Sequence, residues 1–356
     1  MKSVILKPHE EPRRGREGRA IPTNHEKPTS LGGPIVEPPD IVDVRAAAAR
    51  MWGVVVRTPL VPLHSFGASS DIYLKPEMLQ PIGSYKLRGV YNWAASLTAE
   101  QRAAGFSTHS AGNTAQALGY VARLFGVPAC SLVPDFAPEV KVRAVESYGA
   151  TPVVIPFDEL LDFVFAERWK REPYNFLNPW GEPKMIAGSA TIGLEIIEDC
   201  PDVEAVYVPV GGGGLVAGIG SAIKALKPSV RIVGVQAEAC PALHASFAAG
   251  RPVWVDAQPT ICEGVTVPFV SDEMYPLLRS VIDDVVLVSE DKVRQAIHRL
   301  AAHNSLVVEG AGALSVAAAL AAEPGRGKTV CILSGGKIEM AELAAIAGEP
   351  TGETNG

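Results

Sequence analysis

The sequence has 356 residues, of which 47% are hydrophobic, 20% charged and 6% aromatic. This balance is typical of folded globular proteins and excludes a mostly disordered or collagen-like chain, and at about 150 residues per domain the length indicates two domains or one large α/β unit. The net charge of −7 gives no reason to expect a polyanionic partner, so we predict no nucleic-acid binding.

The first 40 residues read as a separate, basic tail. Residues 1–40 hold seven of the 29 prolines, and residues 1–30 carry seven Lys and Arg against four Asp and Glu. We predict that this tail is either disordered or strapped onto a partner subunit. The pair Arg13-Arg14 is not followed by the apolar segment that an export signal needs, so the chain is predicted to stay in the cytoplasm.

From about Pro39 onwards, short apolar runs alternate with helical stretches, which is typical of βα units around a parallel sheet. The first series is predicted to contain the strands 106–110, 129–133 and 151–155 and the helices 113–125, 138–149 and 158–171. The second series is predicted to contain the strands 205–210, 231–236, 285–288 and 329–333 and the helices 193–198, 215–226, 291–303 and 311–322. These patterns predict an α/β fold with two open, mostly parallel sheets flanked by helices, and a ligand cleft between them.

The cysteines and apolar runs limit the class of protein further. The five cysteines are odd in number, widely separated and free of Cys-x-x-Cys spacing, so neither a disulfide framework nor a zinc site is indicated. We therefore expect reduced thiols, as in cytoplasmic proteins. No apolar run approaches the roughly 18 residues of a membrane span, so no membrane partner is predicted.

A strand followed by four glycines and a helix is the most informative local feature, at residues 208–215. Backbone N–H groups of Gly211–Gly214 can converge on a phosphate at the helix N-terminus, where the helix dipole also favours negative charge. The pattern Gly212-x-Gly214-x-x-Ala217 also satisfies the dinucleotide fingerprint, and Glu238 stands about where a ribose-binding acid belongs. A nicotinamide or flavin oxidoreductase therefore remains an alternative at this point.

Lys86 lies in the segment 83–89, after a turn at Pro81 and before a helix expected from about Val90. Pyridoxal phosphate needs an amine for a Schiff base, a phosphate cup, a partner for its ring nitrogen and a group that holds the ring. The chain contains a candidate for each of these. Eight short segments, taken together and in their order along the chain, support a pyridoxal-phosphate site. They are residues 57–60, 75–77, 83–89, 110–116, 187–195, 211–214, 309–313 and 334–336.

With these segments the sequence resembles the fold-type II pyridoxal-phosphate enzymes, in particular the group of serine/threonine dehydratases (ammonia-lyases) and serine racemases, over about residues 45–340. The resemblance implies a fold like that of the tryptophan synthase β subunit and a homodimer. It also implies a large cofactor-binding domain formed by residues 41–104 and 187–345, a small domain formed by residues 105–186, and a C-terminal tail at residues 346–356.

The resemblance assigns roles to individual residues. Lys86 would form the Schiff base and take the α-proton of the substrate, and a neutral Ser334 facing the pyridine nitrogen would favour elimination over transamination. The implied cofactor contacts are Tyr85, Lys86, Asn113, Gly211, Gly212, Gly213, Gly214, Leu215, Gly264, Glu309 and Ser334. The implied substrate contacts are Ser84, Ser110, Ala111, Gly112, Asn113, Thr114 and Gln116.

Several positions depart from the pattern of the group. Ala111 stands where serine racemase has a second serine, which disfavours racemisation because the acid for the opposite face is missing. Thr114 replaces a histidine and Lys337 an asparagine, so substrates other than L-threonine and L-serine stay open. Lys337 is either simply solvated or recognises an additional anionic group. Gln236 and Ala242 replace carboxylates of the racemase metal site, so no metal is predicted.

The sequence thus predicts a pyridoxal-phosphate-dependent lyase that acts on a small-molecule amino acid. The reaction is β-elimination from a β-hydroxy or β-substituted L-amino acid such as L-threonine, L-serine or a 3-hydroxy-amino acid, and it gives a 2-oxo acid and ammonia. The alternatives are a β-replacement synthase similar to cysteine synthase and, more distantly, an NAD(P)-binding oxidoreductase.

Overall fold

The computed structural model describes residues 27–64, 71–322 and 327–349. The strands in these ranges are β1 Val61–Pro62, β2 Ile72–Pro76, β3 Phe106–His109, β4 Ala129–Pro134, β5 Thr151–Ile155, β6 Asn175–Leu177, β7 Ala205–Pro209, β8 Arg231–Ala237, β9 Asp284–Val288 and β10 Thr329–Leu333. The α-helices are α1 Ile41–Arg50, α2 Lys86–Ser96, α3 Ala99–Ala103, α4 Asn113–Phe125, α5 Glu139–Tyr148, α6 Phe157–Phe165, α7 Pro183–Asp199, α8 Gly214–Leu226, α9 Ala242–Ala249, α10 Tyr275–Val281, α11 Glu290–Asn304, α12 Gly310–Ala321 and α13 Met340–Ala347.

The strands form two sheets, as predicted. The larger sheet has the order β1-β2-β10-β7-β8-β9, and all its neighbours are parallel except β1 and β2. The smaller sheet has the order β5-β4-β3-β6 and is parallel throughout. Every residue of β7 and β10 is buried, which is typical of parallel strands with helices on both faces. The predicted α/β fold class is confirmed.

The smaller sheet is inserted in the chain between strands of the larger one. Its four strands lie between Phe106 and Leu177, after β2 and before β7 of the larger sheet. They fall inside the predicted small domain of residues 105–186, although the exact domain limits stay a prediction. Of the predicted C-terminal tail, residues 350–356 lie outside the described residues.

The described part of the predicted N-terminal tail packs on its own chain. Residues 1–26 lie outside the described residues, but Leu31 and Val36 are buried in the core. The backbone N–H of Leu31 donates to Glu273 Oε1 at 2.9 Å, and Ser30 Oγ donates to the same oxygen at 2.6 Å. Residues 27–40 therefore include a segment that packs against the rest of this chain.

Helix α2 is set in place by close packing on α7. A Cβ added at Gly188 of α7 would lie 2.7 Å from the Cα of Gly89 in α2, which is closer than any side chain allows. The glycines therefore let the two helix backbones touch. Helix α2 begins at Lys86 itself, four residues before the expected start near Val90, so Lys86 occupies its first turn.

Two predicted helices differ from the structure. The prediction of one helix over 158–171 is wrong. Helix α6 ends at Phe165, and Glu167 takes a left-handed conformation with φ 49° before a short 3-10 turn. The helix expected near 193–198 is the end of the 17-residue α7. None of the helices within the described ranges is long and apolar enough to cross a bilayer.

Candidate active site

A cavity of about 830 Å³ is lined by residues that follow strands of both sheets. Ser110 follows β3 of the smaller sheet, whereas Gly211 and Ser334 follow β7 and β10 of the larger one, and all three line the cavity. The cavity therefore lies at the carboxyl ends of parallel strands, where α/β proteins bind their ligands.

The turn that carries Lys86 is fixed against the end of β10. Tyr85 N–H donates to Ser334 O at 3.0 Å, and Gly336 N–H donates to Gly83 O at 3.0 Å. These bonds flank an isolated bridge between Ser84 and Gly335, and they hold the Lys86 turn beside Ser334 although the two are far apart in sequence. The Lys86 ammonium lies 4.7 Å from the centroid of the Tyr85 ring, and within the described chain it forms no ion pair with a carboxylate.

The glycine loop forms an anion cradle at the N-terminus of α8. Gly213 has φ +94°, a conformation that favours glycine, and it turns the chain from β7 into the helix. No described residue accepts a hydrogen bond from the N–H groups of Gly211–Leu215. Free N–H groups at the positive end of a 13-residue helix suit a phosphate, so this part of the site fits pyridoxal phosphate.

A second helix N-terminus faces the cavity from the smaller sheet. Helix α4 begins at Asn113 directly after Gly112, whose N–H donates to Ser110 Oγ at 3.1 Å. Ser131 Oγ in turn donates to Ser110 O at 2.7 Å and fixes the loop. Among the described residues, nothing accepts from the N–H groups of Asn113 and Thr114. The loop and helix end together suit a small carboxylate.

A buried carboxylate joins the two sides of the cavity. Asn113 Nδ2 donates to Glu309 Oε1 at 3.1 Å, and the backbone N–H of Lys337 donates to Glu309 Oε2 at 3.2 Å. Burial raises the pKa of the Glu309 carboxyl above its usual value, although these hydrogen bonds oppose the shift. A Cβ added at Gly264 would lie 3.3 Å from Glu309 Oε1, so glycine leaves room for this carboxylate.

Four fully or largely buried charged side chains form a network around Arg88 of α2. Arg88 donates to Glu77 Oε2 at 2.7 Å through Nε and to Glu195 Oε1 at 2.6 Å through Nη1. Lys75 Nζ lies 2.6 Å from Glu195 Oε2. Burial alone would raise the pKa of the Glu77 carboxyl, but the Arg88 guanidinium holds it below its usual value. Because the four charges neutralise one another, they fix the helix that begins at Lys86.

Two aromatic side chains at the site lie outside the predicted cofactor and substrate contacts. His109 is buried at the end of β3, and in the described chain neither ring nitrogen has a hydrogen-bond partner. The centroid of its ring lies 4.5 Å from the centroid of the Trp180 ring and 5.7 Å from that of the Phe176 ring. Burial lowers the pKa of His109 to about 4, so the ring is neutral at pH 7. Trp180 and His109 both line the cavity, and no local sequence pattern marks Trp180.

The structure brings nearly all predicted site residues together. The predicted residues that line the cavity are Tyr85, Lys86, Ser110, Ala111, Gly112, Asn113, Thr114, Gln116, Gly211, Gly212, Gly213, Gly214, Leu215, Gly264, Glu309 and Ser334. Ser84 does not line it: this residue is fully buried, and its Oγ accepts the Lys86 N–H at 3.3 Å.

Gln236, which stands where the resemblance implies a metal-binding carboxylate, has other contacts. Gln236 Oε1 accepts the N–H groups of Leu243 and His244 at 2.9 and 3.0 Å, and so caps α9. In the part of the chain that is described, no group of three or more His, Cys, Asp or Glu is arranged to hold a metal ion.

Comparisons with known proteins identify the family. Residues 51–335 match the model of the family described as pyridoxal-phosphate dependent enzymes. The L-threonine ammonia-lyase of Thermotoga maritima is 40% identical over 303 residues, which cover 84% of this chain and 75% of that protein. The catabolic L-threonine dehydratase of Escherichia coli K12 is 38% identical over 319 residues, which cover 87% and 97% of the two chains.

Solved structures agree with this match. Maize serine racemase superposes with a TM-score of 0.80 at 30% identity, covering 87% of this chain and 97% of that one. The processed form of threonine deaminase isoform 2 from Solanum lycopersicum superposes with a TM-score of 0.76 at 27% identity. The match covers 95% of this chain and 99% of that one. The oxidoreductase alternative has no support among these matches. The predicted fold and cofactor are confirmed, and the chain belongs to the family of pyridoxal-phosphate-dependent enzymes.

Proposed function

We propose that this protein is a pyridoxal-phosphate-dependent lyase that eliminates the β-substituent of a β-hydroxy-L-amino acid and releases a 2-oxo acid and ammonia. The observation that carries the proposal is the placement of Lys86 beside Ser334 in one cavity with the free N–H groups of Gly211–Leu215. The relatives described as L-threonine ammonia-lyase and L-threonine dehydratase support the lyase class.

The cofactor contacts follow from the site. The N–H groups of the glycine loop would bind the phosphate, and Ser334 would meet the ring nitrogen with a neutral hydroxyl. Tyr85 would pack against the ring and Asn113 would bond its 3′-oxygen. When bound through Lys86, pyridoxal phosphate supplies an electron sink for the negative charge that develops at the α-carbon.

The protein's own side chains then direct the proton and the leaving group. The N-terminus of α4 with the loop 110–112 would bind the α-carboxylate and orient the Cα–H bond. Lys86 Nζ would take the α-proton, and the electron pair of that bond would form the Cα=Cβ bond while the Cβ–O bond breaks. Ala111 presents only a methyl group to the cavity, so it supplies no acid that could return a proton to the other face.

A panel of amino acids tests the proposal. The protein, loaded with pyridoxal phosphate, is incubated with L-threonine, L-serine and 3-hydroxyaspartate, and ammonia and 2-oxo acid are measured together. We expect equal amounts of the two products without an added nucleophile. Turnover only with added sulfide or another nucleophile would contradict elimination and replace it with the β-replacement synthase.

The proposal includes a cytoplasmic homodimer. Helix α1 and the turn after it leave Val42 and Trp52 exposed, with 70% and 90% of their surface accessible, and such apolar side chains support self-association. Light scattering coupled to gel filtration tests this part, with twice the chain mass expected and the single mass contradicting it.

A further inference from the structure

Lys337 follows β10 of the larger sheet, and its side chain passes the turn before Lys86 and reaches α4 beside the smaller sheet. A Cβ added at Gly83, which has φ +74°, would lie 3.2 Å from Lys337 Cε, so the lysine side chain runs along the bare backbone of that turn. Its ammonium donates to Gln116 Oε1 in the first turn of α4 and lies 4.1 Å from the centroid of the Tyr148 ring. Both Lys337 and Gln116 line the cavity.

The charge of this ammonium has no close counter-ion. Lys86, Lys141 and Lys337 are the lysines that line the cavity, and of these Lys141 forms an ion pair with Glu263. No described carboxylate lies within ion-pair distance of Lys337 Nζ, and Glu309 instead accepts the backbone N–H of Lys337. Burial lowers the pKa of Lys337 to about 8, although the more distant charge of Glu309 opposes the shift, and most of the side chain stays charged at pH 7. A half-buried ammonium without a counter-ion costs stability unless a ligand supplies the charge.

Lys337 therefore adds hydrogen-bond donors beyond those that one α-carboxylate uses, although Glu182, Glu263, Glu309, Glu339 and Glu342 also line the cavity. The N-terminus of α4 and the loop 110–112 already suit an α-carboxylate, and the glycine loop suits the cofactor phosphate. An ammonium has three N–H donors, and Gln116 takes one of them. The remaining donors of Lys337 are available for a further acceptor on the substrate side of the cavity.

We propose that the preferred substrate is a short β-hydroxy-α-amino dicarboxylic acid, and that the Lys337 ammonium binds its second carboxylate beside Gln116. This inference rests on the proposed function and names its substrate class. The elimination itself is unchanged. The α-proton passes to Lys86, the Cβ–O bond breaks, and the leaving hydroxide takes a proton from the Lys86 ammonium and departs as water. Hydrolysis of the released enamine then consumes one water and yields ammonia and a 2-oxo dicarboxylic acid.

The test compares Lys337→Gln with Lys141→Gln in the cofactor-loaded protein. For the wild type we expect a higher kcat/KM for 3-hydroxyaspartate than for L-threonine. Lys337→Gln should lower the ratio of these two values about 100-fold, the size expected for loss of a charge-assisted hydrogen bond. Lys141→Gln removes a neighbouring ammonium that is already paired, so the ratio should stay within about threefold.

A binding measurement makes the inference independent of turnover. In calorimetric titration, malate should bind the wild type at least about tenfold more tightly than lactate, and Lys337→Gln should abolish the difference. Equal binding of malate and lactate to the wild type would overturn the inference. So would a Lys337→Gln variant that loses the same factor of kcat/KM for both substrates, because Lys337 would then act on the shared α-carboxylate.

The lyase activity and the dicarboxylate preference can fail separately. Efficient release of 2-oxo acid from L-threonine with no preference for a dicarboxylate would reject the inference and leave the lyase in place. A malate preference that depends on Lys337, without release of 2-oxo acid from any amino acid, would support binding of a second carboxylate by Lys337 and reject the lyase and, with it, the substrate.

Discussion

Asn113 and Glu309 connect the two halves of the active site directly, since Asn113 Nδ2 at the start of α4 donates to Glu309 Oε1 at 3.1 Å just before α12. One residue follows the smaller sheet and the other precedes a helix on the larger sheet. The contact therefore couples the position of the proposed carboxylate loop to that of the proposed cofactor pocket.

Removal of this donor should destabilise the protein in a pH-dependent way. Burial raises the pKa of Glu309 and the Asn113 hydrogen bond lowers it, so Asn113→Ala should raise it further. Stability linked to a raised pKa is present below the unfolded value and is lost as pH rises through the folded value. We expect Asn113→Ala to cost about 1–3 kcal/mol in urea unfolding at pH 8 and clearly less at pH 5.

Asn304→Ala is the matched control for this prediction. The Asn304 side chain bonds backbone groups of the described chain, Pro62 O and His64 N–H, so its loss should cost the same at both pH values. An equal cost of Asn113→Ala at pH 5 and pH 8 would show that the Glu309 carboxylate is not the group that Asn113 stabilises.

Gly213 should be needed for cofactor binding beyond its effect on folding. It has φ +94°, and an added Cβ would lie 2.7 Å from Leu278 Cδ1, so Gly213→Ala should shift the loop and raise the Kd for pyridoxal phosphate at least about tenfold. Gly250→Ala is the control, because Gly250 has φ +68° with open space around an added Cβ and lies outside the cavity lining. Both variants should lose about 1–2 kcal/mol of stability. Equal cofactor affinity in the two variants, measured by equilibrium dialysis, would argue against the phosphate cradle.

His109 should make the protein sensitive to mild acid. Burial lowers its pKa from 6.5 to about 4, so the neutral ring contributes stability that is fully present above pH 6.5 and is lost as pH falls towards 4. The loss should approach about 3 kcal/mol in the free energy of unfolding. His109→Phe should flatten this part of the pH profile, whereas exposed His64→Gln should keep it. A profile unchanged by His109→Phe would contradict the assignment.

Ala111 should set the reaction outcome. Its methyl group faces the cavity where an acid on the second face of the substrate would be needed for racemisation. We expect no D-serine from L-serine with the wild type, and measurable D-serine from Ala111→Ser in a chiral assay. D-serine formation by the wild type at a rate similar to elimination would show that another group supplies the second proton.

Elements with strong local signals could be predicted from the sequence. Apolar residues at helical spacing and a following glycine define α4, which covers residues 113–125 as predicted and ends at Gly126 with φ 67°. Strand β2 was not predicted, because it contains Lys75 and Pro76 and is specified by its partners. The buried Lys75 ammonium donates to Thr58 O and to Glu195, which neutralises it from 120 positions away in sequence.

The residues of the candidate site likewise differ in whether the local sequence reveals them. Lys86, the glycine loop and residues 110–116 stand in contiguous segments, so sequence patterns reveal them. Trp180 reaches the cavity through contacts between separate elements, and its residue type alone carries no such information. The position of Lys337 beside Gln116 likewise depends on how β10 and α4 approach each other.

The most direct test of the central claim compares the wild type with Lys86→Ala after both are incubated with pyridoxal phosphate. The wild type should show a visible absorbance band that borohydride abolishes, and it should release 2-oxo acid and ammonia from a β-hydroxy amino acid. Lys86→Ala should lack that band and lose at least about 10³-fold in kcat, because the group that holds the cofactor and takes the proton is gone. A Lys86→Ala protein that keeps both the band and the turnover would contradict the account.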